Sequence, residues 1–163
     1  MNRKINKKII VIAAIFILAG AGAAIASKKK ISPIGWGWFG KVYTRDGLAL
    51  EGYDPVTYHT EGKPKKGSPA YAMDWNGSTL LFSTAENKTA FEKDPAKYAP
   101  AFGGFCSFAA SKGFTAKADP TAWKIEGRKL YLFNDAEMRE NWISELEKGV
   151  IGRAEMNWAK RPE

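Results

Sequence analysis

The longest uninterrupted hydrophobic stretch lies near the start of the chain, where residues 9–27 read IIVIAAIFILAGAGAAIAS without a charge. As a helix this run would span about 28 Å, close to the thickness of a bilayer's hydrocarbon core. Residues 1–8 ahead of it form a basic tail with four positive charges. The pattern predicts one transmembrane anchor over 9–27. A rival is a cleaved signal peptide with its apolar core at 9–18 and an A-x-A site at Ala24-Ile25-Ala26. The length of the run, and the lysines crowding that site, favour an uncleaved signal-anchor. The basic group before the run outnumbers Lys28, Lys29 and Lys30 after it, which directs the remainder of the chain to the extracytoplasmic (periplasmic) side.

Residues 28–44 break the pattern. Glycines alternate with aromatics through Gly35, Trp36, Gly37, Trp38, Phe39 and Gly40, which reads as a juxtamembrane linker. From residue 45 the periods shorten to those of an α+β domain that runs to 163. Two short strands at 71–75 and 79–82 flank Asn76-Gly77, a strong hairpin signal. Ser83 or Thr84 then caps a helix that buries Phe91 and stops at Asp94-Pro95. A short buried helix follows Phe105 and ends at Gly113, and a second hairpin joins 122–125 to 130–133 around Glu126-Gly127-Arg128. Asp135 opens an amphipathic helix to about Lys148, with Met138, Trp142, Ile143 and Leu146 on one face. A last helix covers about 150–158. The expectation is one small domain of short hairpins and helices behind a transmembrane helix.

The net charge of +8 belongs to the first part of the chain. Residues 1–44 hold eight basic side chains and no acidic one, whereas 45–163 hold 17 of each sign. A nucleic-acid-binding domain needs a basic excess on its folded surface. This domain has none, so nucleic acid is excluded as a partner. The membrane is the expected partner, through the N-terminal helix, together with an envelope protein.

A single histidine, His59, and a single cysteine, Cys106, restrict the chemistry. One cysteine rules out an intramolecular disulfide framework and any multi-cysteine zinc site. Cys106, His59 and Asp54, with a methionine thioether from Met73, Met138 or Met156, could make a low-coordinate site for copper or another transition metal. The alternative leaves Cys106 as a small core hydrophobe among Phe102, Phe105 and Phe108, with His59 bonded to a loop carbonyl. A catalytic Cys–His pair needs an orienting third group, for which Asp54 or Asn87 would serve, and an exposed, electropositive setting for the thiolate. The surrounding phenylalanines argue against that setting, so catalysis is not expected. Several aromatics could instead line a pocket for a small apolar or haem-like ligand, near Tyr58, His59 and Cys106.

The order of landmarks resembles a known family. Gly-Tyr-Asp-Pro-Val-x-Tyr at 52–58, Phe-Ser-x-x-Glu-Asn at 82–87, Asp-Pro-x-x-Tyr-Ala-Pro at 94–100 and Gly-Gly-Phe-Cys at 103–106 are similar to the YHS domain in its longer, exported bacterial form. Asp-Pro-x-x-Trp at 119–123, Gly-x-x-Leu-Tyr-Leu at 127–132 and Ala-x-x-x-Trp at 154–158 extend the likeness, which covers 45–158. The resemblance implies metal or small-ligand handling, because short YHS domains accompany heavy-metal transport modules and carry cysteines. Here Thr57 stands where the short form has one such cysteine, and Ser83-Thr84-Ala85 stands in place of the others. The second function class is a structural or interaction module of the cell envelope in which Cys106 only packs.

Overall fold

The computed structural model describes residues 31–37 and 39–162. They form an α+β domain of short strands and six short α-helices. Strand β1 (Ser32–Pro33) pairs with β6 (Phe114–Thr115). Strands β2 (Thr44–Arg45), β3 (Leu48–Ala49), β4 (Ser68–Trp75) and β5 (Ser78–Phe82) make a sheet of order β2-β3-β5-β4. Within it β3 lies parallel to β5 through Leu48 and Thr79. Strands β7 (Asp119–Glu126) and β8 (Lys129–Phe133) form the second hairpin.

Both hairpins turn where the sequence pattern placed them. Asn76 and Gly77 have φ of 49° and 76°, and Gly127 and Arg128 have 53° and 66°. Two consecutive left-handed residues match the twist of the flanking strands.

The helices are α1 (Thr57–Thr60), α2 (Ala85–Lys93), α3 (Pro95–Tyr98), α4 (Ser107–Ser111), α5 (Ala136–Ser144) and α6 (Val150–Trp158). Side chains of Thr84, Asp94 and Asp135 accept from the backbone N–H of Asn87, Lys97 and Met138, each satisfying one of the free donors of a first turn. The helix expected to run to 148 ends at Ser144. Its next residue, Glu145, is drawn to Lys112 at 3.0 Å and to Arg153. A 3-10 turn at Leu146–Lys148 and Gly149 at φ 72° then redirect the chain into α6.

Strand β8 separates two apolar clusters. Leu130 and Leu132 face the first, with Val56, Tyr58, Leu80, Phe82 and Phe91. Tyr131 and Phe133 face the second, with Phe102, Cys106, Trp142 and Val150. Alternate side chains of a strand point to opposite faces, so one five-residue strand is covered on both sides. Each fully buried large apolar side chain contributes about 1.5–3 kcal/mol.

The stretch expected as a linker is part of the domain from Ser32 onward. Ile34 and Val42 are buried, and the Tyr43 N–H donates to the Gly103 carbonyl at 2.8 Å. The segment is too short to form an element alone; Ser32 finds its ladder partner at Thr115 in β6, 83 residues further along. The predicted anchor at 9–27 lies outside the described residues. Among those described, no helix is long and apolar enough to cross a membrane.

Candidate functional site

Asp54 is fully buried and its carboxylate is engaged on both oxygens. Oδ1 accepts from the Val56 N–H at 2.9 Å. Oδ2 accepts from the Ser83 N–H, the Ser83 hydroxyl and the Asn87 side-chain amide, each at 2.7 Å. A carboxylate offers about four lone-pair directions, and four protein donors converge on this one, three of them on Oδ2. The turn before α1 is thereby locked to the cap of α2, joining two of the motifs singled out in the sequence. Asp54 is an architectural anion.

His59 is half-buried on α1, edge-on to Tyr98 with ring centroids 5.4 Å apart. Its buried Nε2 has no hydrogen-bond partner, so the expected loop-carbonyl bond is not made through that atom. Burial, and then the charge of Lys97, hold its pKa below the ordinary 6.5, and the ring is neutral at pH 7. Its neighbour Tyr58 donates to the Pro120 carbonyl at 3.0 Å and packs edge-on against Trp123. Burial pushes the phenol's pKa up.

Cys106 is 1% exposed, in the second cluster. Its N–H donates to the Ala116 carbonyl at 3.0 Å, and a single bridge links it to Leu132 of β8. Burial pushes the thiol pKa up; the backbone N–H groups of Ala109, Asn134 and Phe108 only partly offset this. That is the environment of an inert thiol.

The three candidate ligands are thus held apart in their bonding. Asp54 is consumed by its donors, Cys106 lies within one cluster, and His59 packs on Tyr98 of the other. The methionines divide likewise: Met73 packs on the first cluster, Met138 on the second, and Met156 is exposed. Among the described residues no three His, Cys, Asp or Glu side chains gather closely enough to hold a metal ion.

Two cavities lie away from these residues. One, of about 410 Å³, opens between β7 and α5, over Tyr58, Trp123 and Ile125 and under Arg139, Glu140 and Ile143. It accounts for the partial exposure of Ile143, which the sequence pattern placed on a buried face. The other, of about 270 Å³, lies beside the 3-10 turn at Ala101–Gly104, where Phe102, Tyr131 and Trp158 meet the charged ends of Lys129 and Glu155. The signal for it in the sequence is faint: Tyr131 alternates with buried leucines, and Trp158 follows the small Ala154 by one helical turn.

Comparison with protein families, curated proteins and solved structures finds no match. The motifs can nevertheless be read by what they touch. Asp54 meets Ser83 and Asn87, Tyr58 meets Pro120 and Trp123, and Trp158 meets Phe102 at 5.7 Å and Phe105 at 5.9 Å. Three of the motifs thus find partners in other motifs, through a turn-to-cap network, a tyrosine–carbonyl bond and ring pairs.

Proposed function

We propose that this chain is a YHS-type binding module of the cell envelope, tethered to the membrane by residues 9–27, non-catalytic, and built to hold a small organic ligand rather than a metal. Supporting this is the contrast between two sets of polar groups. The carboxylate that could have served a metal is saturated by protein donors. Tyr131, by contrast, is 3% exposed as a residue and lines the smaller cavity, with a hydroxyl that no protein group bonds among the described residues and that is not sealed from solvent. An aromatic wall that ends in an accessible polar tip is what a small-ligand site supplies. Cys106 is core packing in this reading.

The test is a pair of titrations on the full chain in detergent micelles. Small-molecule probes are followed through the Trp158 indole resonance, and Cu(I) and Zn(II) through thermal melts. The expected outcome is a probe-induced shift at Trp158 and no metal-induced rise in melting temperature. One-to-one metal binding, lost in both Cys106→Ser and His59→Ala, would overturn the proposal in favour of a metallochaperone.

A protein-interaction role is the second reading. In it, too, Cys106 only packs, as its burial allows. It predicts no small-molecule response at Trp158 and co-purification of an envelope protein from native membranes.

A further inference from the structure

From the chemistry lining the smaller cavity we infer the class of its ligand: a small zwitterion carrying an alkylated ammonium at one end and a carboxylate at the other. The inference rests on the small-ligand reading above and narrows it.

The walls are aromatic. Phe102 packs against Tyr131 at 6.0 Å and against Trp158 at 5.7 Å, with interplanar angles of 46° and 61°, so the three rings are mutually tilted. Tilted rings present both face and edge, and an aromatic face attracts cations. The same ring system already accepts one, since the Arg161 guanidinium sits 4.7 Å from the Trp158 centroid and 5.3 Å from that of Phe105. No protein cation is stacked over Phe102 or Tyr131 among the described residues.

The rim carries one charge of each sign. Glu155 and Lys129 both line the cavity, and among the described residues neither forms an ion pair, with the other or with a third group. A simple cation would satisfy Glu155 and oppose Lys129; a simple anion would do the reverse. A molecule with both charges satisfies both. The Tyr131 hydroxyl keeps its proton, because burial and then Glu155 and Glu126 raise its pKa, so the carboxylate end belongs at Lys129, away from that negative field. The ammonium end meets few acceptors: Glu155 and ring faces. A primary ammonium would leave N–H donors unmet there, whereas an alkylated one has none to lose.

The backbone supports the same place. Phe102 is held at φ 53° and Gly103 at φ 60°, left-handed values that a phenylalanine rarely adopts. At Gly103 a Cβ would lie 2.1 Å from the Lys41 carbonyl oxygen, so this turn admits only glycine. Strain of this kind gathers where a side chain must be presented in one orientation.

The probe pair is glycine betaine and its carbon isostere, the tert-butylacetate anion, which differs only in lacking the positive charge. Each is titrated into the full chain in micelles, with affinity read from the Trp158 indole resonance. Neopentyl alcohol serves as a neutral control. Betaine is expected to bind about tenfold more tightly than the isostere, as a cation over ring faces requires. Glu155→Gln and Lys129→Gln, both at exposed positions, should each weaken betaine by about fivefold while leaving the melting temperature unchanged. Equal binding of betaine and isostere, or indifference to Glu155→Gln, would overturn the zwitterion assignment and leave the small-ligand reading intact. Failure of all three probes to shift Trp158 would remove both.

Discussion

The Asp54 carboxylate and the Asn87 side-chain amide, 33 residues apart in the chain, meet at 2.7 Å inside the domain. Their bond ties the turn before α1 to the first turn of α2, with Ser83 as the third member. Asp54→Ala would leave the Val56 and Ser83 N–H groups and the Asn87 amide without their acceptor. Unmet buried donors are costly, and a loss of about 3–5 kcal/mol is expected in urea unfolding. Chelators should leave that loss unchanged, which separates an architectural anion from a metal ligand.

The pH dependence follows from His59. Its folded-state pKa is lowered, so the unfolded chain binds the proton more readily than the folded one. The stability contributed by neutral His59 is fully present above pH 6.5 and is lost as pH falls through the lowered folded value. Melting temperatures should therefore start to decline below about pH 6.5, and His59→Asn should flatten that limb. Glu86, Asp135 and Glu145, whose carboxyl pKa values are also lowered, act in a more acidic window that the variant leaves untouched.

Cys106 should resist iodoacetamide in the native state, because its thiol is both buried and raised in pKa. Alkylation is expected only from the unfolded form, so that urea below the transition accelerates it in step with the unfolded fraction. Rapid modification of native protein at pH 7 would contradict the packing role.

Gly103→Ala is expected to be among the most damaging single-methyl additions. The new Cβ would clash with the Lys41 carbonyl and would force a left-handed alanine. A cost of about 3 kcal/mol or more, read in a denaturant titration, follows from the clash and the strain together.

Shortening the chain tests how far the domain extends. Starting at residue 45 removes the buried side chains of Ile34 and Val42, and with them the partner of β6. Relative to a chain starting at residue 31, a loss of about 2–4 kcal/mol is expected in urea.

Local signals were legible and long-range ones were not. Asn76-Gly77, Thr84, Asp135 and the hairpin turn at Glu126-Gly127-Arg128 each declare a turn or a cap by their own chemistry, and the structure places them there. Ser32–Pro33 and Phe114–Thr115 are strands only because they find each other, and two-residue strands leave no period to read. Helix α1 was equally silent, being four residues held by the Asp54 turn. At the site, residue type pointed to Cys106, His59 and Asp54, since thiol, imidazole and carboxylate are the reactive groups. Placement drew attention elsewhere, because Tyr131, Lys129 and Glu155 come to line one cavity only when the fold assembles them.

The short ladder between Ser32 and Thr115 also bears on mechanics. Between the end of the apolar run at Ser27 and the first paired residue lie only Lys28 to Ile31, about 14 Å of fully extended chain. A pull applied to the chain ahead of Ser32 would reach the domain through the Ser32–Thr115 pairing, and so would load the β1–β6 ladder before the other strands.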